Sequence, residues 1–193
     1  MKKVLKKALV LCLVATMTAS VAGCTKGADE TAAKESAPSE STETAVQPFP
    51  KFTGTDMEDA RVDESIFQDH AATVVNFWFT GCTACVQEMP DLENLSHDLE
   101  KEDVAFVGLL VEPDRKKLAQ DILEAKGATY RNIVPEMGGE MEGLVQTIFA
   151  FPTTVVVDRD GNIVGDAVVG SLTTDERIEQ LMERVDDVVK EDK

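Results

Sequence analysis

Two cysteines separated by two residues, Cys82-Thr83-Ala84-Cys85, are the part of this sequence best equipped for chemistry. They stand where an apolar run at residues 72–79 gives way to apolar residues at Val86, Met89, Leu92, Leu95 and Leu99, the three-and-four spacing of a helix. At a helix N-terminus the unpaired N–H groups and the macrodipole favour an anion. The Cys82 thiolate is therefore expected to be stabilised, its pKa falling below the free-thiol value of about 8.5. Cys85 follows within about one turn, near enough to close a disulfide with Cys82 or to attack a mixed disulfide formed there. The outer sulfur is then the nucleophile and the inner one resolves.

Three plainer readings compete. A zinc site needs four ligands, and once Cys12 and Cys24 of the N-terminal segment are set aside, only His70 and His97 remain beyond the pair, neither at ligand spacing. A copper carrier would want a histidine near the sulfurs. A structural disulfide across two residues constrains the unfolded chain little. Strand, paired cysteines and helix together favour dithiol chemistry, with no metal.

The elements that must position the pair lie in a chain of 193 residues with 43% apolar residues, enough for one ordinary core. Nineteen basic against thirty-six acidic residues give a net charge of -17, which disfavours a nucleic-acid partner held by counterion release. Residues 1–23 carry Lys2, Lys3, Lys6 and Lys7, a short apolar stretch, and small residues before Cys24, the pattern of a secretory signal. Val21-Ala22-Gly23-Cys24 resembles a bacterial lipobox, which implies cleavage before Cys24 and lipidation of its sulfur. Loss of four lysines and no acidic residue would move the charge to -21. Residues 24–48 then read as a lipidated cysteine and a disordered acidic tether, too polar to offset its ordering entropy. Residues 49–193 read as one redox domain.

Within that domain residues 62–68 suit a short helix or turn. Residues 72–79 suit a central strand buried on both faces, and 82–99 a helix that Pro90 should kink. A second strand at 103–111 and a helix near 114–126 follow, ended by Gly127, with Leu118, Ile122 and Leu123 on its core face. A shorter helix spans 139–149. Strands at 151–157 and 162–169 are joined by Asp158-Arg159-Asp160-Gly161, too short for a crossover, so they pair antiparallel. Thr173-Thr174-Asp175-Glu176 suits a capping box before the last helix. The fold class is α/β, a central mixed sheet with helices on both faces.

Asn76-Phe77-Trp78-Phe79-Thr80-Gly81-Cys82 through Cys85-Val86-Gln87-Glu88-Met89-Pro90 resembles the active-site segment of TlpA/ResA-type, membrane-anchored thiol-disulfide oxidoreductases, and Phe151-Pro152-Thr153-Thr154 resembles their cis-proline loop. The resemblance implies a thioredoxin-like fold with the Pro152 loop beside the sulfurs and Cys82 and Cys85 forming the redox disulfide. It implies a substrate-facing surface that includes Phe151, Trp78, Thr83 and Ala84, although Trp78 suits the core or a wall better than a direct contact. Asn76 stands where cytosolic thioredoxins carry a buried aspartate. Glu88, one turn after Cys85, matches the lineage's active-site glutamate and is a candidate acid/base; the plainer alternative is an exposed helix glutamate. The residues before each cysteine depart from the family, with Gly81 and Ala84 where an aromatic residue and a proline are common, and the residues around the sulfurs bear on reduction potential.

These features imply an extracytoplasmic, lipid-anchored monomer that needs no organic cofactor. The resemblance implies client protein disulfides as substrates, such as those of apocytochrome c or a methionine sulfoxide reductase, and a membrane electron carrier of the CcdA or DsbD type as donor. The reductive direction is favoured by the resemblance. The rivals are a disulfide-forming oxidase and a metal- or haem-handling chaperone using the same thiols. His70 and His97 read as surface residues.

Overall fold

The computed structural model describes residues 47–192. The signal segment, the lipobox with Cys24, and the tether up to residue 46 lie outside the described residues. In chain order the elements are β1 Gln47–Pro48, β2 Thr53–Asp56, β3 Arg61–Asp63, β4 Ala72–Trp78, α1 Thr83–Glu100, β5 Val104–Leu110, α2 Lys116–Lys126, β6 Asn132–Pro135, α3 Gly139–Thr147, β7 Thr153–Asp158, β8 Asn162–Val169 and α4 Asp175–Glu191. They build an eight-stranded mixed sheet in the order β1-β8-β7-β4-β5-β6-β2-β3. β4 runs parallel to β5 and antiparallel to β7, and β7 and β8 pair antiparallel as their short connection requires.

All seven residues of β4 are buried, which is why this strand reads as a largely apolar run without polar alternation, Asn76 aside. Its side chains alternate between two cores. Ala72, Val74 and Trp78 join one with Met89 and Leu92 of α1, Ala119 and Leu123 of α2, and Leu181 and Val185 of α4. Val75 and Phe77 join another with Phe49, Phe67 and Met141. The sheet is thus covered on both faces in a thioredoxin-like α/β fold. Glu93 fixes α1 to the loop before β6, accepting bonds from the Thr129 backbone N–H and hydroxyl, both at 2.6 Å, and from the Tyr130 N–H at 3.1 Å.

Several expectations change. Gln47 and Pro48 pair with Ile163 and Asn162, so residues 47 and 48, expected in the tether, belong to the sheet. Residues 62–68 divide between β3 and a 3-10 helix, Glu64–Asp69, whose first turn is capped by Asp63 accepting from the Ser65 N–H at 2.9 Å. α1 runs through Pro90 as one helix. Leu118 is 44% exposed, and α2 turns the small Ala119 inward beside Leu123 instead. Thr174 caps α4 through its backbone conformation, without the side-chain bond a capping box would supply.

A buried polar link braces the strand that carries the cysteines. The Trp78 indole N–H donates to Asn132 Oδ1 at 2.9 Å, and Asn132 Nδ2 donates to the Tyr130 carbonyl at 3.0 Å. Asn132 reaches Trp78 across Gly108, where a Cβ would sit 2.1 Å from Asn132 Oδ1. Gly108→Ala is expected to displace Asn132, leave the indole N–H unpaired and destabilise the fold by about 1–3 kcal/mol, as read by urea unfolding. An unchanged unfolding midpoint would contradict this role.

Candidate active site

Cys82 is the N-cap of α1, directly after the turn that leaves β4. Its backbone N–H donates to the Phe79 carbonyl at 3.1 Å, and its carbonyl accepts from the Val86 N–H at 3.1 Å. Cys82 Sγ accepts from the Cys85 N–H at 3.1 Å, so one orphan donor of the helix end points at this sulfur. A negative charge on Cys82 after disulfide cleavage would meet that donor and the helix dipole. Cys82 and Cys85 are joined by a disulfide with Cα atoms 5.3 Å apart. Cys82 is 7% exposed and Cys85 1%, which makes Cys82 the sulfur nearer to solvent. Thr83 and Ala84 between them are exposed.

The preceding turn is held from the far side of the sheet's central pair. Glu112, just after β5, accepts from the Thr80 backbone N–H at 2.9 Å and from the Thr80 hydroxyl at 2.7 Å. The Val111 N–H bonds the Trp78 carbonyl at 3.1 Å. On the other side, the β4–β7 register pairs Phe77 with Thr153, which brings the Phe151–Pro152 segment beside the end of β4. The Phe151–Pro152 peptide bond is cis, and Pro152 is buried. Phe151 is half-buried, its ring meeting Phe79 edge-on with centroids 5.2 Å apart. The Pro152 carbonyl accepts from the Gly170 N–H at 2.8 Å, and the Thr153 hydroxyl donates to the Ala150 carbonyl at 2.8 Å.

Glu88 is not an exposed helix residue: it is 0% exposed. Its Oε2 accepts from the Leu172 backbone N–H at 2.7 Å, and its Oε1 accepts from Asn76 Nδ2 at 3.3 Å. Asn76 Nδ2 also donates to the Thr154 hydroxyl at 3.0 Å, across the pair that β4 and β7 place in register. Burial drives the Glu88 carboxyl up from 4.5 to about 7, against the opposing pull of the bonds from Leu172, Asn76 and Ser171. The result is a carboxyl that exchanges its proton near neutrality, one helical turn from Cys85.

Trp78 departs from a substrate-facing role. It is 1% exposed with its indole N–H bonded to Asn132, so it forms core beneath the site and presents no surface to a client. His70 is half-buried with Nδ1 3.2 Å from Asp103, and His97 is exposed with Nε2 3.2 Å from Glu93. Among the described residues no group of three or more His, Cys, Asp or Glu side chains is placed to hold a metal ion. The Leu172 N–H, Thr154, Asn132 and Glu112 escaped sequence reasoning. Each acts across 32 to 84 residues of chain, and only Thr154 had a nearby signal, its place after Pro152.

A family model described as Redoxin matches residues 44–182. The thiol-disulfide oxidoreductase ResA of Bacillus thuringiensis subsp. konkukian is 23% identical over 138 residues, covering 70% of this chain and 75% of that protein. The thiol:disulfide interchange protein HelX of Rhodobacter capsulatus is 31% identical over 124 residues, covering 64% of this chain and 61% of its own length. Among solved structures, a thiol:disulfide interchange protein of the thioredoxin family from Chlorobium tepidum superposes with a TM-score of 0.54 at 23% identity, over 75% of this chain and 94% of that one.

Proposed function

This chain belongs to the Redoxin family, and from that premise we propose that it is a thiol-disulfide oxidoreductase that reduces disulfides of client proteins through Cys82 and Cys85. The observation that carries the reading is the placement of the Cys82–Cys85 disulfide at the start of α1, with Cys82 Sγ receiving the Cys85 N–H. In the reduced form, Cys82 thiolate attacks one sulfur of a client disulfide, and the other client sulfur leaves as a thiolate that takes up a proton. Glu88 accepts the proton of Cys85, whose thiolate attacks Cys82 and releases the second client thiol. Two electrons pass to the client, and the Cys82–Cys85 disulfide is restored.

The relatives named above are called thiol-disulfide oxidoreductases or interchange proteins, which supports protein disulfides as the substrate class. The reductive direction rests on the resemblance to the TlpA/ResA type. A membrane carrier of the CcdA or DsbD type would return the electrons, and apocytochrome c or a methionine sulfoxide reductase are the clients the resemblance suggests. The lipobox-like residues 21–24 support an extracytoplasmic protein cleaved after residue 23, lipidated on Cys24 and tethered to the membrane through residues 24–46. No described helix is long and apolar enough to cross a membrane.

Direction is tested by equilibrating the protein with a dithiol redox buffer and measuring its reduction potential. A value near about −270 mV is expected of a reductant, and one near about −120 mV would instead make it an oxidase.

A further inference from the structure

The turn that follows β8 touches two parts of the site. Its Gly170 N–H donates to the Pro152 carbonyl at 2.8 Å, and its Leu172 N–H donates to Glu88 Oε2 at 2.7 Å. The Ser171 side chain adds a bond to the same carboxyl. Connections between elements move unless they are tied down, so donors mounted on one need an anchor.

Arg177 supplies it. This half-buried residue stands in the first turn of α4, where its own N–H bonds the Thr174 carbonyl at 3.1 Å. Its Nε donates to the Val169 carbonyl at 3.1 Å, and Nη1 reaches the Ser171 carbonyl at 3.5 Å, a long bond. The planar guanidinium thus spans the carbonyls on either side of Gly170. Gly170 leaves room for it: its φ is +99°, and a Cβ there would meet the guanidinium carbon at 3.1 Å.

We propose that Arg177 is a positioning residue for the exchange reaction: by gripping the Val169 and Ser171 carbonyls it holds the Leu172 N–H against Glu88. The inference rests on the thiol-disulfide exchange proposed above and adds to it a residue outside the cysteine, Glu88 and cis-proline motifs.

The bonds from Leu172 and Ser171 pull the Glu88 carboxyl down against burial, which drives it up to about 7. A loosened turn weakens those bonds and leaves the burial in place, so the carboxyl keeps its proton to higher pH. Other groups also face Glu88. Asp91 on α1 raises it by charge, Asn76 on β4 lowers it by a hydrogen bond, and the Tyr130 hydroxyl before β6 is pushed above its ordinary range by burial. Cys85, one turn away, and Cys82 titrate in the reduced form, while Asp175 and Glu176 on α4 are exposed. Among the described residues Arg177 bonds none of these side chains, so its effect on Glu88 passes through the turn.

The test follows release of the second thiol from a symmetric peptide disulfide by the reduced full chain, from pH 6 to pH 9. In the wild type this step should rise through an inflection near 7, where Glu88 becomes able to accept the Cys85 proton. Arg177→Met should move that inflection up by about one unit, lowering the rate about fivefold at pH 7 and restoring it by pH 9. Arg177→Lys keeps a cation and one point of attachment and should recover part of the loss. In a Glu88→Gln background, Arg177→Met should change the rate by less than about twofold, because the carboxyl it acts on is gone. A rate depressed equally at every pH, the mark of an arginine that only supports the fold, would overturn the positioning role. So would an inflection left at its wild-type place, or a loss of the same size in Glu88→Gln; exchange by the wild type would leave the redox reading standing. A wild type that releases no thiol from the peptide would overturn that reading and this inference with it.

Discussion

Replacing Cys85 with serine is expected to stall the protein as a covalent adduct between Cys82 and its client, with turnover falling to background. Cys82 is the more exposed sulfur and caps α1, so its thiolate gains from the Cys85 N–H and the helix dipole and makes the first attack. Without the Cys85 thiol, nothing intramolecular resolves the mixed disulfide. Cys82→Ser should lose turnover equally but form no adduct, because the remaining thiol is 1% exposed. Non-reducing gels and intact-mass measurement after mixing with a protein disulfide distinguish the two variants. Adducts that form on Cys85 in Cys82→Ser, and not on Cys82 in Cys85→Ser, would reverse the assigned roles.

Glu88→Gln is expected to produce the second-largest effect, and it has two readouts. Burial holds the carboxyl at about 7 in the folded protein against 4.5 ordinarily, so between these values the folded state keeps a proton that the unfolded chain has released. The stability linked to this group is complete below the unfolded value and is lost as pH rises through about 7. The disulfide form should therefore weaken from pH 5 to pH 8 by roughly 3 kcal/mol at most, and Glu88→Gln should flatten that slope in urea unfolding. Turnover should fall by about a hundredfold as the proton acceptor for Cys85 is lost, and its pH profile should lose the inflection near 7. If turnover and both pH profiles stay as in the wild type, Glu88 is only a packed polar residue.

How far the sequence foretold this site depends on the distance over which each part is specified. The cysteine pair, Glu88 and Pro152 each stand in a short local pattern, and β4, α1, β5 and α4 are long enough for their periodicity to show. β1, β2, β3 and β6 have two to four residues, fewer than a periodic pattern needs, and they exist because neighbouring strands offer hydrogen bonds. The environment of Glu88 was hidden for a similar reason. Its raised pKa comes from burial, which outweighs the opposing bonds from Leu172, Asn76 and Ser171, and the fold supplies both where the helix spacing does not. Trp78 misled as a surface candidate because its neighbours mark an active site, whereas its partner Asn132 is 54 residues away and reaches it only across Gly108. Phe149 read as the end of a helix, but α3 stops at Thr147 and leaves that ring outside. Leu118 misled because a small residue, Ala119, occupies the inward position where α2 packs.

The central claim is that electrons leave the Cys82–Cys85 dithiol for a protein disulfide, and a single-turnover mass balance measures this directly. Reduced protein is mixed with an equimolar client disulfide under anaerobic conditions, quenched with an alkylating agent and weighed by intact mass. The account predicts that client thiols appear one pair for each Cys82–Cys85 disulfide formed. A client disulfide left intact beside a protein still fully alkylated at Cys82 and Cys85 would contradict it.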